Sequence, residues 1–545
     1  MKLSRYLPFA PVLFLAGAWF TYPALWIGGS CFADFRLFGH ASLALAAILL
    51  LALDPERLRR FFLPMRPPVM QVIGIAVPGC IAILLHYYHN QGNPVALLDA
   101  IFYLAVPLAA AVWANEFRGP FLLYIVLLGA ANLIFLGIQR INGIPGYGVT
   151  GNWNWSATVM ILAGAAYAML FHRPKEWPFG ALCGMLLTLI GGLAFHSRGA
   201  TAAMMIAIPA SLSLLSRIRA LRIGGLCLAI GGVLMMLAAC YTDTDRTRRD
   251  LATAAATLFR EHPLIGIGID RFESESPAVL PEAYFDNRYT AERHPHPHNE
   301  FYRFAAELGI GGICLCGTVI LILYGAIRRY VTDGDDIYEP AFLLFAVLLP
   351  LLHGQVDVLL AEWPVDTLFL IALGLNWHAA AGENETVERP PSENSTVRWP
   401  LYAVQIILAG SLLTLVIRTG VSGWYARQAA LTARYGQDAE MLWAKSRQWF
   451  VTPHNLYAGA AIALYDRKDP QTAIALLRRL ETETTMRNYL HNQGMMARAL
   501  AASGDLEAAI PRFEAELKNF PRDEATRRLL TATQAEWERL RTSHK

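Results

Sequence analysis

About thirteen stretches of roughly 20 apolar residues limit the fold of this sequence more than any other feature. A helix of that length crosses the ~30 Å hydrocarbon core of a bilayer. Only 16% of the residues are charged, against about 25% in typical soluble domains. We therefore predict an all-α fold, a polytopic membrane helix bundle of about 12–13 spans. The stretches lie near residues 8–28, 35–53, 69–88, 95–115, 119–138, 155–172, 178–196, 200–215, 223–240, 304–327, 340–360, 364–379 and 400–417.

Charge and cysteine usage exclude two further classes of protein. The formal net charge is +3, which is too small to indicate a basic surface that binds nucleic acid. The seven cysteines form no C-x-x-C pair and no disulfide ladder. The chain is therefore neither a nucleic-acid-binding protein nor a small disulfide-stabilised domain.

The distribution of Lys and Arg predicts the orientation of the spans. If the N-terminus is cytoplasmic and the chain crosses at each stretch, sixteen Lys and Arg residues lie on the cytoplasmic side. The short loops on the other side hold only Arg36, Arg140 and Arg198. This bias predicts that the long loop (residues 241–303) and the tail (residues 418–545) face the periplasm or its equivalent.

The predicted organisation has four parts, with the N-terminal spans in 1–240, the long loop, the C-terminal spans in 304–417 and the tail. Charged residues become frequent in the tail, and Ala and Leu recur at helical spacing. Gly504, Ala509, Phe513 and Pro521 match the turn, small-contact, aromatic and terminating positions of a tetratricopeptide repeat (TPR). Ala473, in a weaker copy, precedes Ala509 by 36 residues, close to the ~34-residue period. We predict a TPR-like helical domain that docks an acceptor or partner, with a generic helical bundle as the alternative.

The long loop ends in a dense polar cluster, Arg293-His294-Pro295-His296-Pro297-His298-Asn299-Glu300. Alternating histidines suggest zinc, but the ligands of a catalytic zinc converge from a rigid scaffold, and no H-E-x-x-H helix or Cys partner is present. A catalytic histidine at the membrane surface is favoured, because neutral imidazole accepts a hydroxyl proton near pH 7. His298 is the best candidate, since Asn299 can cap the next helix and fix its neighbour. A solvated His-rich loop is the alternative.

Arginines on the same predicted side are candidates for binding phosphate. Arg198 lies in a tight connection between two apolar stretches, and its guanidinium fork matches phosphate oxygens bidentately. Arg248, at the start of an amphipathic stretch of the long loop, is the second candidate, and Arg140 is the third. The alternatives are snorkelling to lipid headgroups for Arg198 and a solvated helix start for Arg248.

Four short motifs follow one another in a fixed order. They are Gly151-Asn152-Trp153-Asn154-Trp155-Ser156; Ser197-Arg198-Gly199-Ala200; Arg248 with Phe259-Arg260-Glu261-His262-Pro263-Leu264-Ile265-Gly266-Ile267-Gly268 and Phe272; and His298-Asn299 with Glu307-Leu308-Gly309 and Gly312. Together they resemble the O-antigen ligase superfamily of bacterial inner-membrane glycosyltransferases, over roughly residues 10–380. That group includes lipopolysaccharide O-antigen ligases, Wzy-type polymerases and protein O-oligosaccharyltransferases. His353-Gly354-Gln355-Val356-Asp357, with Trp363-Pro364, resembles a late span of the protein-glycosylating branch.

The resemblance implies transfer of a glycan en bloc from undecaprenyl diphosphate to a periplasmic-side acceptor, either lipid A-core or a protein Ser/Thr hydroxyl. No divalent metal and no other cofactor is implied, because arginines stabilise the leaving group. The implied site residues are Arg198 and Arg248 for the diphosphate, His298 for catalysis on the acceptor hydroxyl, and Arg140, His296, Asn299 and Glu307 in supporting roles.

Other functions remain open at this point. A Wzy-type polymerase uses the same donor chemistry. A membrane transporter or flippase needs polar residues inside its spans, and Asp99 and the pair His353/Asp357 are candidates, since residues four apart share a helix face. A non-catalytic scaffold that assembles through the tail is the remaining alternative.

Overall fold

The computed structural model describes residues 10–20, 33–62, 67–89, 94–143, 147–170, 177–239, 246–286, 296–333, 337–360, 364–382, 398–434, 438–484 and 488–543. Within these ranges the chain is helical and forms no β-strand, which confirms the predicted all-α fold.

The first part of the structure consists of helices that are apolar, apart from the short third one, which is rich in charged residues. They are α1 (Ala10–Phe20), α2 (Ala33–Leu53), α3 (Pro55–Phe62), α4 (Pro67–His89), α5 (Pro94–Val112), α6 (Ala114–Ile141), α7 (Trp153–Leu170), α8 (Trp177–Ala194), α9 (Arg198–Leu214) and α10 (Arg219–Ala239). The long loop and the second group of apolar helices follow. They contribute α11 (Arg246–Glu261), α12 (Phe272–Glu275), α13 (Glu300–Leu308), α14 (Ile310–Asp333), α15 (Tyr338–His353) and α16 (Val365–Ala381).

Four described helices are long and apolar enough to cross a membrane. They lie at Ala114–Ile141, Arg219–Ala238, Ile310–Thr332 and Ile406–Ala433. Seven shorter apolar helices accompany them. The protein is therefore a multi-pass membrane protein, whereas the count of 12–13 spans stays a prediction.

A buried triad of ionisable residues ties the early helices to α16. His40 of α2 places Nδ1 2.7 Å from Oδ1 of Asp99 in α5 and Nε2 3.0 Å from Oδ2 of Asp366 in α16. All three side chains are at most 3% exposed, and the His40 ring stacks on Phe102 at 4.1 Å. Asp99, which the sequence offered only as a transporter candidate, therefore belongs to a closed cluster inside the bundle.

The structure corrects the predicted span at 304–327. Two helices, α13 and α14, occupy this region, and they separate at Gly309, whose φ is +60°. A Cβ at Gly309 would lie 2.6 Å from the carbonyl oxygen of Pro263, and that oxygen accepts a hydrogen bond from the Ile310 amide (2.8 Å). The chain bends here because a backbone segment of the long loop packs directly on the junction.

The predicted span at 340–360 is also too long. Helix α15 ends at His353, and the site turn (residues 354–357) follows. The Asp357 amide donates to the His353 carbonyl (3.1 Å), which holds this turn against the helix end. The apolar residues Val358, Leu359 and Leu360 that extended the stretch are buried, but they lie outside the helix.

The tail begins inside a long helix, α17 (Arg398–Arg434), which contains the candidate span Ile406–Ala433 and runs past residue 418. Shorter helices follow it, namely α18 (Glu440–Trp449), α19 (Pro453–Ala461), α20 (Pro470–Glu483), α21 (Asn492–Ala502), α22 (Leu506–Asn519) and α23 (Glu524–Ser543). From α17 onward each packs against its neighbour in sequence, as helical repeats do. Ala473 and Ala509 are fully buried, Phe513 is 1% exposed, and Gly504 has φ +88° in the turn before α22. These placements fit the expected positions, and the TPR-like assignment itself stays a prediction.

Candidate functional site

Asp357, at the end of the site turn, connects two motifs that are far apart in the sequence. Asn154 Nδ2 donates to Asp357 Oδ2 at 2.7 Å, across 203 residues of chain. His298 Nδ1 lies 3.2 Å from Asp357 Oδ1, and the Val358 amide donates to the same oxygen at 2.8 Å. The Asp357 side chain is 6% exposed, whereas that of His298 is 33% exposed. The first and the fourth motif therefore meet at one buried carboxylate beside a partly exposed imidazole.

Asn299 fixes the position of His298, as the sequence predicted. Its side-chain oxygen accepts a hydrogen bond from the Tyr302 amide (2.9 Å) and so caps α13. Its Nδ2 donates to the Gln355 carbonyl in the site turn (2.7 Å). His298 itself has φ +52°, in the left-handed region that non-glycine residues rarely adopt. Such strained residues persist where the surrounding structure holds them, often at functional sites.

The electrostatics of this pair favour an ionised carboxylate. Burial alone would raise the pKa of Asp357, but the hydrogen bond and positive charge of His298, the charge of His353 and the Val358 amide hold it below its ordinary value. An ionised Asp357 accepts the proton on Nδ1 of His298. A neutral His298 then has its lone pair on Nε2, the arrangement of a general base oriented by a carboxylate.

The second motif reaches the same turn through Gly199. Ser197 caps α9 with its side-chain oxygen, so that Arg198 is the first residue of the helix and its side chain is exposed. A Cβ at Gly199 would lie 2.9 Å from both the His353 ring and the Val356 side chain. The absence of a side chain at Gly199 therefore lets the helix start pack on the site turn, with Arg198 beside it.

The two helices α9 and α13 begin in the same way. In each, a histidine with φ +52° precedes the capping residue, namely His196 before Ser197 and His298 before Asn299. The left-handed residue reverses the chain immediately before the helix starts, and this reversal directs both helix N-termini toward the site turn.

The third motif contributes Arg248, in the first turn of α11. Its side chain is half-buried, and its positive charge acts on the His353 imidazole. That ring is buried, and its Nδ1 lies 2.8 Å from Thr158 Oγ1. All four motifs thus have a member at or beside residues 353–357, although the sequence offered this pentapeptide only as a mark of one family branch and, in His353 and Asp357, as a candidate transporter pair.

The glycines of the third motif pack on α13. The Ile267 and Gly268 amides donate to the carbonyls of Ala306 (3.0 Å) and Glu307 (2.9 Å). Gly266 has φ +73°, and a Cβ there would lie 2.3 Å from the Glu307 carbonyl. These backbone contacts fix the long loop to the helix that carries His298 at its start.

Glu307 faces Arg303 rather than His298. Arg303 is buried and lies 3.3 Å from Glu307, 3.4 Å from Glu300 and 3.4 Å from Asp270. Glu300 also accepts the amides of residues 359–360 at 2.7 and 2.5 Å. Glu307 therefore belongs to a buried ion cluster that links the long loop, through Asp270, to residues 359–360, through Glu300.

Two other predicted site residues are less closely placed. Arg140 is exposed in the last turn of α6, next to Gln139, which exchanges two hydrogen bonds with Gly148 ahead of the first motif. No described contact brings Arg140 to Asp357. His296 is half-buried two residues before His298. His294 lies outside the described residues, as does Trp363.

Sequence reasoning missed Asp357, Asn154, His353 and Arg303 as site residues. Asp357 was singled out only as a partner of His353 on one helix face, because the apolar stretch looked continuous to residue 360. Asn154 was part of a quoted motif but received no role. A polar residue close to the end of a span was the available signal for both.

Among the described residues, one His/Asp/Glu group has the spacing to hold a metal, and it lies in the tail rather than at this site. It consists of His491, Glu516 and Asp523. Hydrogen bonds already account for it, since Asp523 caps α23 by accepting from Thr526 and Glu516 accepts from His491 and the Gly494 amide.

Residues 183–317 match the Wzy_C family model, described as O-Antigen ligase. This segment contains Arg198, Arg248, His298, Asn299 and Glu307, but not Asn154 or Asp357. The match confirms the resemblance to the O-antigen ligase superfamily over that segment and indicates a membrane enzyme of the ligase or polymerase type. No curated protein matches the chain.

Proposed function

We propose that this chain, which carries an O-antigen ligase segment at residues 183–317, transfers a glycan from undecaprenyl diphosphate to a hydroxyl on lipid A-core or on a protein. The supporting observation is the His298–Asp357 pair, a partly exposed imidazole oriented by a buried carboxylate. It lies at the turn beside which Arg198 and Arg248 are placed. We further propose that this site faces the periplasm and that the enzyme resides in the bacterial inner membrane.

The proposed reaction is a single displacement at the anomeric carbon. The acceptor oxygen forms the new glycosidic bond while the bond from the anomeric carbon to the diphosphate oxygen breaks. The acceptor proton passes to Nε2 of His298, and Asp357 stabilises the imidazolium that results. Both electrons of the broken bond leave with undecaprenyl diphosphate, whose added negative charge Arg198 and Arg248 stabilise. No metal takes part in this scheme.

The test is transfer by the purified full-length protein, with undecaprenyl-diphosphate-linked glycan as donor. A pilin-like protein and lipid A-core are offered in parallel, with and without EDTA. We expect product on one of the two acceptors and the same rate in EDTA. Elongation of the donor glycan with neither acceptor used would instead identify a Wzy-type polymerase. No product with a verified donor would overturn the proposal and favour a transporter.

Arg198→Lys provides the matched test of the diphosphate clamp. Lysine keeps the positive charge but lacks the bidentate fork. We expect transfer to be severely impaired in this variant, whereas Arg219→Lys, at the far end of the α9–α10 connection, retains wild-type activity. Near-normal transfer by Arg198→Lys would exclude the clamp.

A further inference from the structure

We propose that the tail holds Arg248 in position, through a contact between Phe520 of the tail and Phe285 of the long loop. The inference rests on the proposed function, because it takes Arg248 as a ligand of the donor diphosphate. It gives the tail a part in the donor half of the reaction, in addition to any docking of an acceptor.

The contact between tail and loop is aromatic, with Phe520 buried and Phe285 partly buried. The Phe520 and Phe285 ring centroids are 6.0 Å apart, with their planes at 72°. Phe520 is only 5% exposed, although it follows the last residue of α22. Helix α22 also lies beside residues 276–278 of the long loop. Edge-to-face aromatic pairs contribute binding energy beyond the area that they bury, so this contact can fix one element against the other.

Phe520 is itself held firmly within the tail. The His491 ring lies 4.2 Å from the Phe520 ring. His491 Nδ1 is 2.5 Å from Oε1 of Glu516, a buried residue whose other carboxylate oxygen accepts the Gly494 amide at 2.9 Å. These contacts within the tail therefore hold the Phe520 ring in a fixed position against the loop.

On the loop side the contact continues into α11. Phe285 packs on Tyr284 with ring centroids 5.3 Å apart, and Tyr284 is 3% exposed in a core with Leu251 and Leu258 of α11. Burial, and then the negative charge of Asp250, raise the pKa of Tyr284. Tyr284 thus packs against the helix turn that carries Asp250.

Arg248 lies two residues before Asp250 in the same helix. A helix moves as a unit, so a shift of α11 at Tyr284 also shifts Arg248 relative to His353 and the site turn. Displacements of about 1 Å, even those caused far from the chemistry, cost up to 10²-fold in rate. The tail contact is therefore a positioning contact for the donor-binding arginine.

The experiment compares Phe520→Ala with Tyr465→Ala in the full-length protein. Tyr465 is an aromatic residue of the tail that is 43% exposed and pairs with Arg498 rather than with the loop. Hydrogen–deuterium exchange of residues 246–261 is measured first. We expect faster exchange in Phe520→Ala and in Phe285→Ala, and wild-type exchange in Tyr465→Ala. Unchanged exchange in both Phe variants would overturn the proposal whether or not the protein transfers glycan.

Kinetics then separate positioning from acceptor docking. We expect Phe520→Ala to lower kcat/KM for the donor by about 10- to 100-fold with an unchanged acceptor KM. In an Arg248→Lys background the same change should have little further effect, because the residue that it positions is already defective. A change confined to the acceptor KM, or full additivity with Arg248→Lys, would refute positioning through Arg248. Failure of the wild-type enzyme to transfer would instead refute the proposed function.

Discussion

His40 and His298 both pair with aspartates, and their surroundings differ in one decisive respect. His40 has both ring nitrogens on carboxylates, those of Asp99 and Asp366, and is 1% exposed. His298 has Nδ1 on Asp357 and is 33% exposed. The same chemical pair is therefore closed within the bundle in one place and accessible to a substrate in the other. Exposure of the ring, rather than the presence of a His–Asp pair, distinguishes a candidate base from a structural cluster.

The largest expected effect is on catalysis, from His298→Asn. Asparagine tolerates the left-handed backbone that His298 adopts, so the start of α13 should be preserved while the base is lost. We expect a loss of about 10²–10⁴-fold in transfer rate with only a small fall in melting temperature, because Asp357 keeps its hydrogen bonds from Asn154 and the Val358 amide. His196→Asn, at the equivalent position before α9, is the matched control. A transfer rate within threefold of wild type in His298→Asn would show that His298 is not the general base.

The next effect is on stability, from His40→Ala. The change leaves two buried carboxylates facing one another, and breaking a buried ion pair by removing one partner costs about 3–5 kcal/mol. The free energy of unfolding in bicelles measures the loss. The triple variant His40→Leu/Asp99→Leu/Asp366→Leu should recover most of it, because apolar replacement of a whole buried cluster is often neutral. A triple variant that is stable but transfers no glycan would contradict a purely structural role for His40.

A smaller effect is expected from Gly199→Ala. The added Cβ would meet the His353 ring and the Val356 side chain at 2.9 Å, so the first turn of α9 must move, and Arg198 with it. We expect about a tenfold fall in donor kcat/KM and at most 1–3 kcal/mol of destabilisation from overpacking. Gly224→Ala, where a Cβ would meet nothing within 4 Å, is the control. A loss of stability without a change in donor kinetics would show that Gly199 does not position Arg198 for donor binding.

The smallest effect is the pH dependence of stability from Asp357. Its pKa is lowered in the folded protein, so its stabilising contribution is complete above the ordinary carboxyl value of about 3.9. It is lost as pH falls through the lowered folded value. The difference in melting temperature between wild type and Asp357→Asn should therefore persist down to about pH 5 and shrink only below about pH 4. A difference that already declines between pH 7 and pH 5 would contradict an ionised Asp357.

The features that the sequence predicts correctly depend mostly on residues close together in the chain. Apolar length predicts the helices, and Asn299 followed by a helical stretch predicts a cap that the structure confirms. Asp357 escaped prediction as a site residue because its partner Asn154 is 203 residues away and because the apolar stretch runs on to Leu360, although α15 ends at His353. The break at Gly309 has the same origin, since it depends on packing against Pro263 of the long loop. His40 and Asp366 received no attention, because a single polar residue in an apolar stretch does not reveal its partner.

The buried triad also bears on the order in which the protein is assembled. His40 and Asp99 are 59 residues apart, so both are synthesised early, whereas Asp366 follows His40 by 326 residues. Until α16 enters the membrane, Nε2 of His40 lacks the carboxylate that it faces in the finished protein. A chain that stops before α16 would therefore expose a polar group in the bilayer, which is costly. Completion of the triad thus makes the stability of the early helices depend on synthesis of α16, more than 300 residues after His40.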